Sequence, residues 1–336
     1  MKILVSFKPR AMYDNFEGAR LRKSIKGALE VSNIPYVNEE TDDFDIAHFV
    51  SPIDEKAIDS CIKRNIPVVV SALYCESDKS ASFTKYTSNR KGRKEVLTRQ
   101  AIRVLSKATI ITVPSERAKQ FLIDSGIQKP IEVVYPTINL TRFPQDGPEK
   151  EIFYRHYQEE DDRKLIVCLG SYESTDGLTA YVKLAKKFPR VLFYYFSQDS
   201  NTLRFKFKRL VKKTPSNLKF KQIPQDDIYR SAIINASIFT YFGYSTVGIT
   251  TVIEAMAARC DVVLRKQPLF EDILHDGVDC HIGEYSETIA SIIKDLLDGT
   301  IASTKQKSFE LVSDLGLDVF GKRLKEIYNK LLKEKN

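Results

Sequence analysis

Residues 247–280, VGITTVIEAMAARCDVVLRKQPLFEDILHDGVDC, hold more architectural information than any other part of the chain. Gly248 opens a turn, Thr250 and Thr251 are able to cap, and Val252, Ile253, Met256 and Ala257 recur at helical spacing as an apolar face. Residues 260–264 read as a short buried strand, and Pro268 opens a second segment that closes at residues 275–277. A loop that feeds a helix N-terminus can hold a phosphate in an α/β domain. The first amide hydrogens have no partner within the helix, and the helix dipole favours negative charge. The amides of Gly248, Ile249, Thr250 and Thr251 are therefore candidate phosphate ligands. Glu254, one turn further in, is placed to meet a polar group beside the phosphates. On spacing alone, a solvated helix residue is the simpler reading of Glu254.

Outward from this stretch the chain alternates strands and helices. Toward the N-terminus, residues 2–7, 46–50, 67–71, 109–113 and 131–135 read as strands, with helices over 18–29, 54–64, 93–107 and 115–125 between them. Ser115 with Ala118 and Phe121 marks a capped amphipathic start, and Gly126 a stop. Residues 139–148, rich in Pro, Asn, Asp and Gly, read as a linker. A second α/β half follows, with strands at 164–169, 191–196, 218–222 and 238–242. The last helix, 318–335, carries Phe320, Leu324, Ile327, Tyr328 and Leu331 on one stripe. We place an N-terminal domain at 1–145, a C-terminal domain at 146–315 and a closing helix at 316–336.

At 336 residues and 43% hydrophobic content, the chain is long enough for two ordinary cores. The net charge of +8 favours anionic partners. The basic segments lack the patterns that read DNA or RNA, so no nucleic acid is expected. The five cysteines are scattered and odd in number, without C-x-x-C spacing. That argues against a disulfide framework or a zinc site and fits a reducing cytoplasm. MKILVSF reads as a first strand rather than a signal peptide, and no apolar run approaches the roughly 20 residues that span a bilayer.

The opening stretch resembles the donor-nucleotide signature of family 4 retaining glycosyltransferases, which have the GT-B fold of two Rossmann-like domains facing across a cleft. IEAMAARCDVVLR, EDIL and DGVDC fall in that family's order and spacing. The similarity runs over nearly all of the chain and is marked toward bacterial enzymes that glycosylate a membrane glycolipid of the diacylglycerol type. It implies that Glu254 holds the ribose of a nucleotide sugar and that Gly170, Ser171 and the amides from Gly248 to Thr251 hold its phosphates. It also implies a last helix that returns to the first domain, and, if the site is active, a donor such as UDP-glucose.

Three motifs of that family are altered here. Where relatives have a pattern like G-x-x-x-x-R-K-G, this chain has Gly170-Ser171-Tyr172-Glu173-Ser174-Thr175-Asp176-Gly177. Thr175 and Asp176 stand where the resemblance puts an arginine and a lysine. Reversing one charge near a diphosphate matters: with an effective dielectric of about 20, a unit pair at about 4 Å is worth about 4 kcal/mol. The simpler reading of Asp176 is a cap for a helix starting at Leu178. Relatives place a second glutamate eight positions before the ribose-binding one, and here that position is Thr246, flanked by Ser245 and Val247. After the strand at 67–70, the relatives' H-A-H-S-T-E-E-D is Ser71-Ala72-Leu73-Tyr74-Cys75-Glu76-Ser77-Asp78, so Leu73 replaces the histidine that faces the reaction centre. Cys75 lacks a histidine nearby in sequence and reads as an inert thiol. His48 follows a strand start and reads either as a cleft residue or as a satisfied histidine. The four histidines form no ligand pair, so no metal site is expected.

The expectation is a catalytically degenerate glycosyltransferase-family protein that acts as a non-catalytic partner or acceptor-binding subunit of an active glycosyltransferase. The alternative is an active hexosyltransferase in which Arg265 or Lys266 replaces the missing cations. Residues 204–213, RFKFKRLVKK, interleave cations with apolar groups from Arg204 to Lys213, and 90–107 is a second basic stretch. Such a segment reads either as a contact with an anionic membrane surface, on the inner membrane face, or as a solvated face.

Overall fold

The computed structural model describes residues 1–7, 12–50, 54–73, 97, 99–160, 163–170, 177–197, 214–242 and 249–335. Short runs of branched and aromatic residues form its strands. In the N-terminal half these are β1 (Ile3–Ser6), β2 (Tyr36–Val37), β3 (Ile46–Phe49), β4 (Val68–Ser71), β5 (Ile110–Val113) and β6 (Ile131–Val133). They pair in the order β2-β1-β3-β4-β5-β6, all parallel. Every residue of β1, β3, β4 and β5 is buried, as expected for strands covered on both faces. The covering helices are α1 (Met12–Val31), α2 (Glu55–Lys63), α3 (Arg99–Lys107) and α4 (Glu116–Asp124). Ser115 caps α4 by accepting from the Ala118 amide at 3.1 Å, as its sequence predicts, and Asp54 caps α2 in the same way.

The second half holds β7 (Leu165–Gly170), β8 (Leu192–Ser197), β9 (Leu218–Gln222), β10 (Ile238–Tyr241), β11 (Asp261–Arg265) and β12 (His281–Gly283). Their order, β12-β11-β10-β7-β8-β9, is again wholly parallel. Around them lie α5 (Glu149–Tyr157), α6 (Leu178–Lys187), α7 (Asp226–Asn235), α8 (Ile249–Ala257), α9 (Ser286–Asp298) and α10 (Lys305–Ser313). The sequence reading missed α5. Its charged residues mask the periodicity, and Phe153 is its only fully buried side chain. That ring lies 4.8 Å from Tyr194 of β8, and the Phe153 amide donates to Ser231 of α7.

The last helix, α11 (Leu317–Lys335), returns to the first domain. Its stripe of Phe320, Leu324, Ile327, Tyr328 and Leu331 is buried in one core with Ile3, Val5, Ile25, Ala28 and Leu29. A side chain on Gly321 would meet the Ala28 carbonyl oxygen at 2.7 Å, so α11 and α1 touch backbone to backbone there. The chain's two crossings between domains lie side by side: Ile138 pairs with Gly316, and both the Thr137 hydroxyl and the Ile138 amide donate to the Leu315 carbonyl, at 2.5 and 3.3 Å.

Candidate functional site

Strand order alone locates a crevice. In the second sheet β7 and β10 are neighbours whose connections leave in opposite directions, and ligands of open parallel sheets bind outside the carboxyl ends of such strands. The loop after β7 leads to α6 and the loop after β10 leads to α8. Gly177, at φ +70°, begins α6 so close to Phe242 that an added Cβ would lie 2.2 Å from the Phe242 Cβ. The start of α6 therefore lies against the end of β10. Gly170 ends β7 at this edge. Ser171, Thr175, Asp176, Thr246 and Gly248 lie outside the described residues, as do Cys75 and the segment from Arg204 to Lys213.

All of α8 is buried, including Ile249, Thr250, Thr251 and Glu254. Reading Glu254 as a solvated helix residue is thus incorrect: it is 2% exposed. A carboxylate packed beside Ile253, Ala255 and Met256 needs a cation, because desolvation penalises an isolated charge severely. Two are supplied. Arg20 of α1, from the opposite domain, pairs directly with Glu254, and Nη1 of Arg142, in the single turn Leu140–Arg142 between the domains, lies 3.9 Å away. The Arg20 guanidinium also sits over the Tyr229 ring, 5.1 Å from its centroid. Arg142 continues the network, donating to both oxygens of Asp226 at 2.8 and 2.6 Å, while Arg230 and Lys23 approach the same carboxylate at 3.2 and 4.0 Å. Burial alone would raise the Asp226 pKa, but Arg142, Lys23 and Arg230 together hold it below the usual carboxylate range. Neither Arg20 nor Arg142 was read as a site residue from the sequence. The one available signal was Glu254 itself, an acid inside an apolar helix.

The N-terminal domain supplies the facing wall. Leu73, just past β4, lines a narrow interdomain crevice with Ile249 and Thr250 of the first turn of α8. Its floor is His48, Ser71 and Thr112. His48 is fully buried, with Nδ1 2.7 Å from the Tyr328 hydroxyl and Nε2 2.7 Å from the Ser71 hydroxyl, which is 2.8 Å from that of Thr112. Burial lowers its pKa to about 3, so the ring is neutral at ordinary pH. It is the satisfied histidine of the two readings, although its hydrogen-bonded chain borders the crevice.

Of the two candidate replacement cations, Arg265 is wholly buried at the end of β11 and Lys266 is exposed. The acidic EDIL run has a function the sequence did not disclose. Asp272 accepts from the Glu116 amide at 2.7 Å, so the second domain caps a helix of the first, and Glu271 lies 4.0 Å from Arg117. In the second basic stretch, Arg103 and Lys107 are paired with Glu55 and Asp59 of α2, which makes that part a structural contact. Cys61, Cys168, Cys260 and Cys280 are buried, and burial pushes the Cys61 thiol up to about 11 and the Cys260 thiol up to about 12. Among the described residues no group of three His, Cys, Asp or Glu could hold a metal, and no helix is long and apolar enough to cross a membrane.

Two wholly parallel, doubly wound sheets facing across a crevice, with a final helix returning to the first domain, define the GT-B class, the architecture of many glycosyltransferases. Known proteins agree. No family model matches the chain. It is 22% identical over 338 residues, spanning all of both chains, to the processive diacylglycerol alpha-glucosyltransferase of Acholeplasma laidlawii. It is 23% identical over 175 residues, 48% of this chain and 47% of the other, to the alpha-galactosylglucosyldiacylglycerol synthase of Streptococcus pneumoniae. Among solved structures, Anabaena HepE in complex with UDP matches with a TM-score of 0.70 at 14% identity, covering 98% of this chain and 100% of that one. The sucrose-phosphate synthase of Thermosynechococcus elongatus matches with a TM-score of 0.74 at 11% identity, covering 99% and 100%. The chain has the GT-B fold and is similar along its full length to a glycolipid glycosyltransferase, as its motifs led us to expect.

Proposed function

We propose that this chain is a catalytically degenerate glycosyltransferase-type protein that serves as a non-catalytic partner of an active glycosyltransferase. The observation that carries the reading is the state of Glu254. The carboxylate that the resemblance assigns to a nucleotide ribose is buried and held by an arginine of the opposite domain. Leu73 supports it, since the one position where relatives present an imidazole toward the reaction centre carries a side chain that makes no hydrogen bond. Thr175, Asp176 and Thr246 support it through charge, because transfer from a nucleotide sugar depends on stabilising a departing diphosphate. The segment from Arg204 to Lys213 would hold the protein at an anionic membrane surface on the cytoplasmic face, each basic residue adding about 1 kcal/mol. Flotation with anionic liposomes that survives neutralising Lys206, Lys208 and Arg209 would remove that part.

A second reading is favoured by the full-length similarity to an enzyme named as a glucosyltransferase. Here the chain is an active retaining hexosyltransferase: the bond from the anomeric carbon to the diphosphate breaks, a bond to the acceptor hydroxyl oxygen forms, and the hydroxyl proton leaves. The α8 amides and exposed Lys266 would face the diphosphate. Incubating the purified chain with UDP-glucose and diacylglycerol vesicles separates the two readings, since only an enzyme produces glucosyl lipid.

A further inference from the structure

Three neighbouring strands of the first sheet bury polar residues that meet: His48 in β3, Ser71 in β4 and Thr112 in β5. Register explains the meeting. His48 pairs with Val69 and Ser71 with Thr112, and Val69 and Ser71, two apart, share a face of the sheet. On that face Tyr328 of α11 completes a hydrogen-bonded chain, Tyr328 to His48 to Ser71 to Thr112. Counting hydrogens gives the chain a direction. The phenol, the neutral imidazole and the two aliphatic hydroxyls carry four donor hydrogens, and three bonds join them. None of the four side chains has a further hydrogen bond among the described residues, so one hydrogen is left over. At Tyr328 it would be stranded: that residue is 0% exposed and does not line the crevice, and a buried donor without an acceptor is costly. Tyr328 therefore donates to Nδ1 of His48, Nε2–H donates to Ser71, and the spare hydrogen belongs to Ser71 or Thr112. Both of these line the crevice.

The other walls are hydrocarbon from both domains, chiefly Leu21, Leu73, Val134, Ile249, Phe320 and Leu324, and Thr250 adds one hydroxyl from α8. Among the described residues no charged side chain lines the crevice. Its free space is about 30 Å³, which admits about two water-sized groups and no sugar ring. We infer that the crevice is a holding site for an uncharged acyl compound, whose carbonyl oxygen accepts the spare hydrogen and whose hydrocarbon chain runs out along the apolar walls. A carboxylate is disfavoured there, since no cation lines the site. A nucleophilic hydroxyl is disfavoured as well, because it must give up a proton and the chain ends in a donor rather than a base. Such a site holds its ligand without reacting with it, whether or not the chain turns over a nucleotide sugar.

Nitrogen NMR of the labelled full chain tests the direction, with His48 assigned by the signal lost in His48→Gln. The Nε2–H tautomer is expected, and the Nδ1–H tautomer overturns the proposal. Titration of the full chain with methyl octanoate and with nonane tests the ligand. The ester is expected to bind about fivefold more tightly than the alkane, the worth of one neutral hydrogen bond. Replacing both hydroxyls, Ser71→Ala with Thr112→Val, should remove that preference and leave nonane binding in place. Should the double variant not fold, Tyr328→Phe serves instead: it frees His48 to reverse the chain and should weaken the ester preference. An undiminished preference in either folded variant overturns the proposal. Equal affinities for the two probes in the unaltered chain do the same, as does failure of both to bind, which would leave the crevice to water.

Discussion

Glu254 and Arg20 are each almost fully enclosed, and that burial decides what their substitution costs. Removing one partner leaves the other charged in an apolar setting, which costs about 3–5 kcal/mol in comparable pairs, whereas replacing both with hydrocarbon of similar volume is often neutral. We expect Arg20→Ala to lower the urea unfolding free energy by about 3–5 kcal/mol, and the double variant Arg20→Met, Glu254→Leu to recover most of it. Equal losses in the two would show that the pair is not the determinant. His48 makes a pH-dependent prediction. Its folded-state pKa of about 3 lies below the ordinary value near 6.5, so as pH falls the unfolded chain takes up a proton that the folded chain refuses. Its contribution is present above pH 6.5 and is lost by about 1.4 kcal/mol per pH unit down to about pH 3. The stability gap between the unaltered protein and His48→Gln should therefore narrow by about 2 kcal/mol between pH 6.5 and pH 5 in urea titrations. A gap that stays constant would mean that His48 titrates normally. At this scale the sequence was half legible. Glu254 reads from spacing alone as a solvated residue although Ile253 and Ala255 flank it, and nothing local to Arg20 says that it reaches across to another domain.

Elements were more legible than their contacts. The buried strands declare themselves because doubly covered parallel strands are continuous apolar runs, and α4 because Ser115 and Gly126 bracket it. By contrast α5 stayed hidden, since a helix that buries little has no apolar stripe to read. The start of α6 yields a sharp element-level test. Gly177 combines φ +70° with a Cβ position 2.2 Å from buried Phe242, whereas Gly126 has φ +87° and open space around it. Gly126→Ala should cost about 1 kcal/mol of backbone strain, and Gly177→Ala at least about 2 kcal/mol more through the clash. Thermal unfolding of the two variants measures the difference directly. Similar melting temperatures would mean that the Phe242 contact relaxes freely.

For the whole molecule, the two-sheet architecture follows from the strand–helix rhythm, while the return of the last helix, whose apolar stripe is legible, is expected from the family resemblance; both are present. What could not be read is how the two halves meet. The contacts at Glu254 and Asp272 join residues from separate domains, and only the folded chain reveals that α8 is held against α1. That arrangement motivates the view of a scaffold kept while its chemistry was lost. A non-catalytic partner should co-purify from its native cell with a second, intact glycosyltransferase; recovery of the chain alone under gentle extraction would count against the assembly. The most direct measurement is product formation by the purified chain supplied with UDP-glucose and diacylglycerol in anionic vesicles. We predict UDP release indistinguishable from buffer and no glucosyl lipid. Sustained, protein-dependent formation of glucosyl lipid would contradict the account and identify a working transferase.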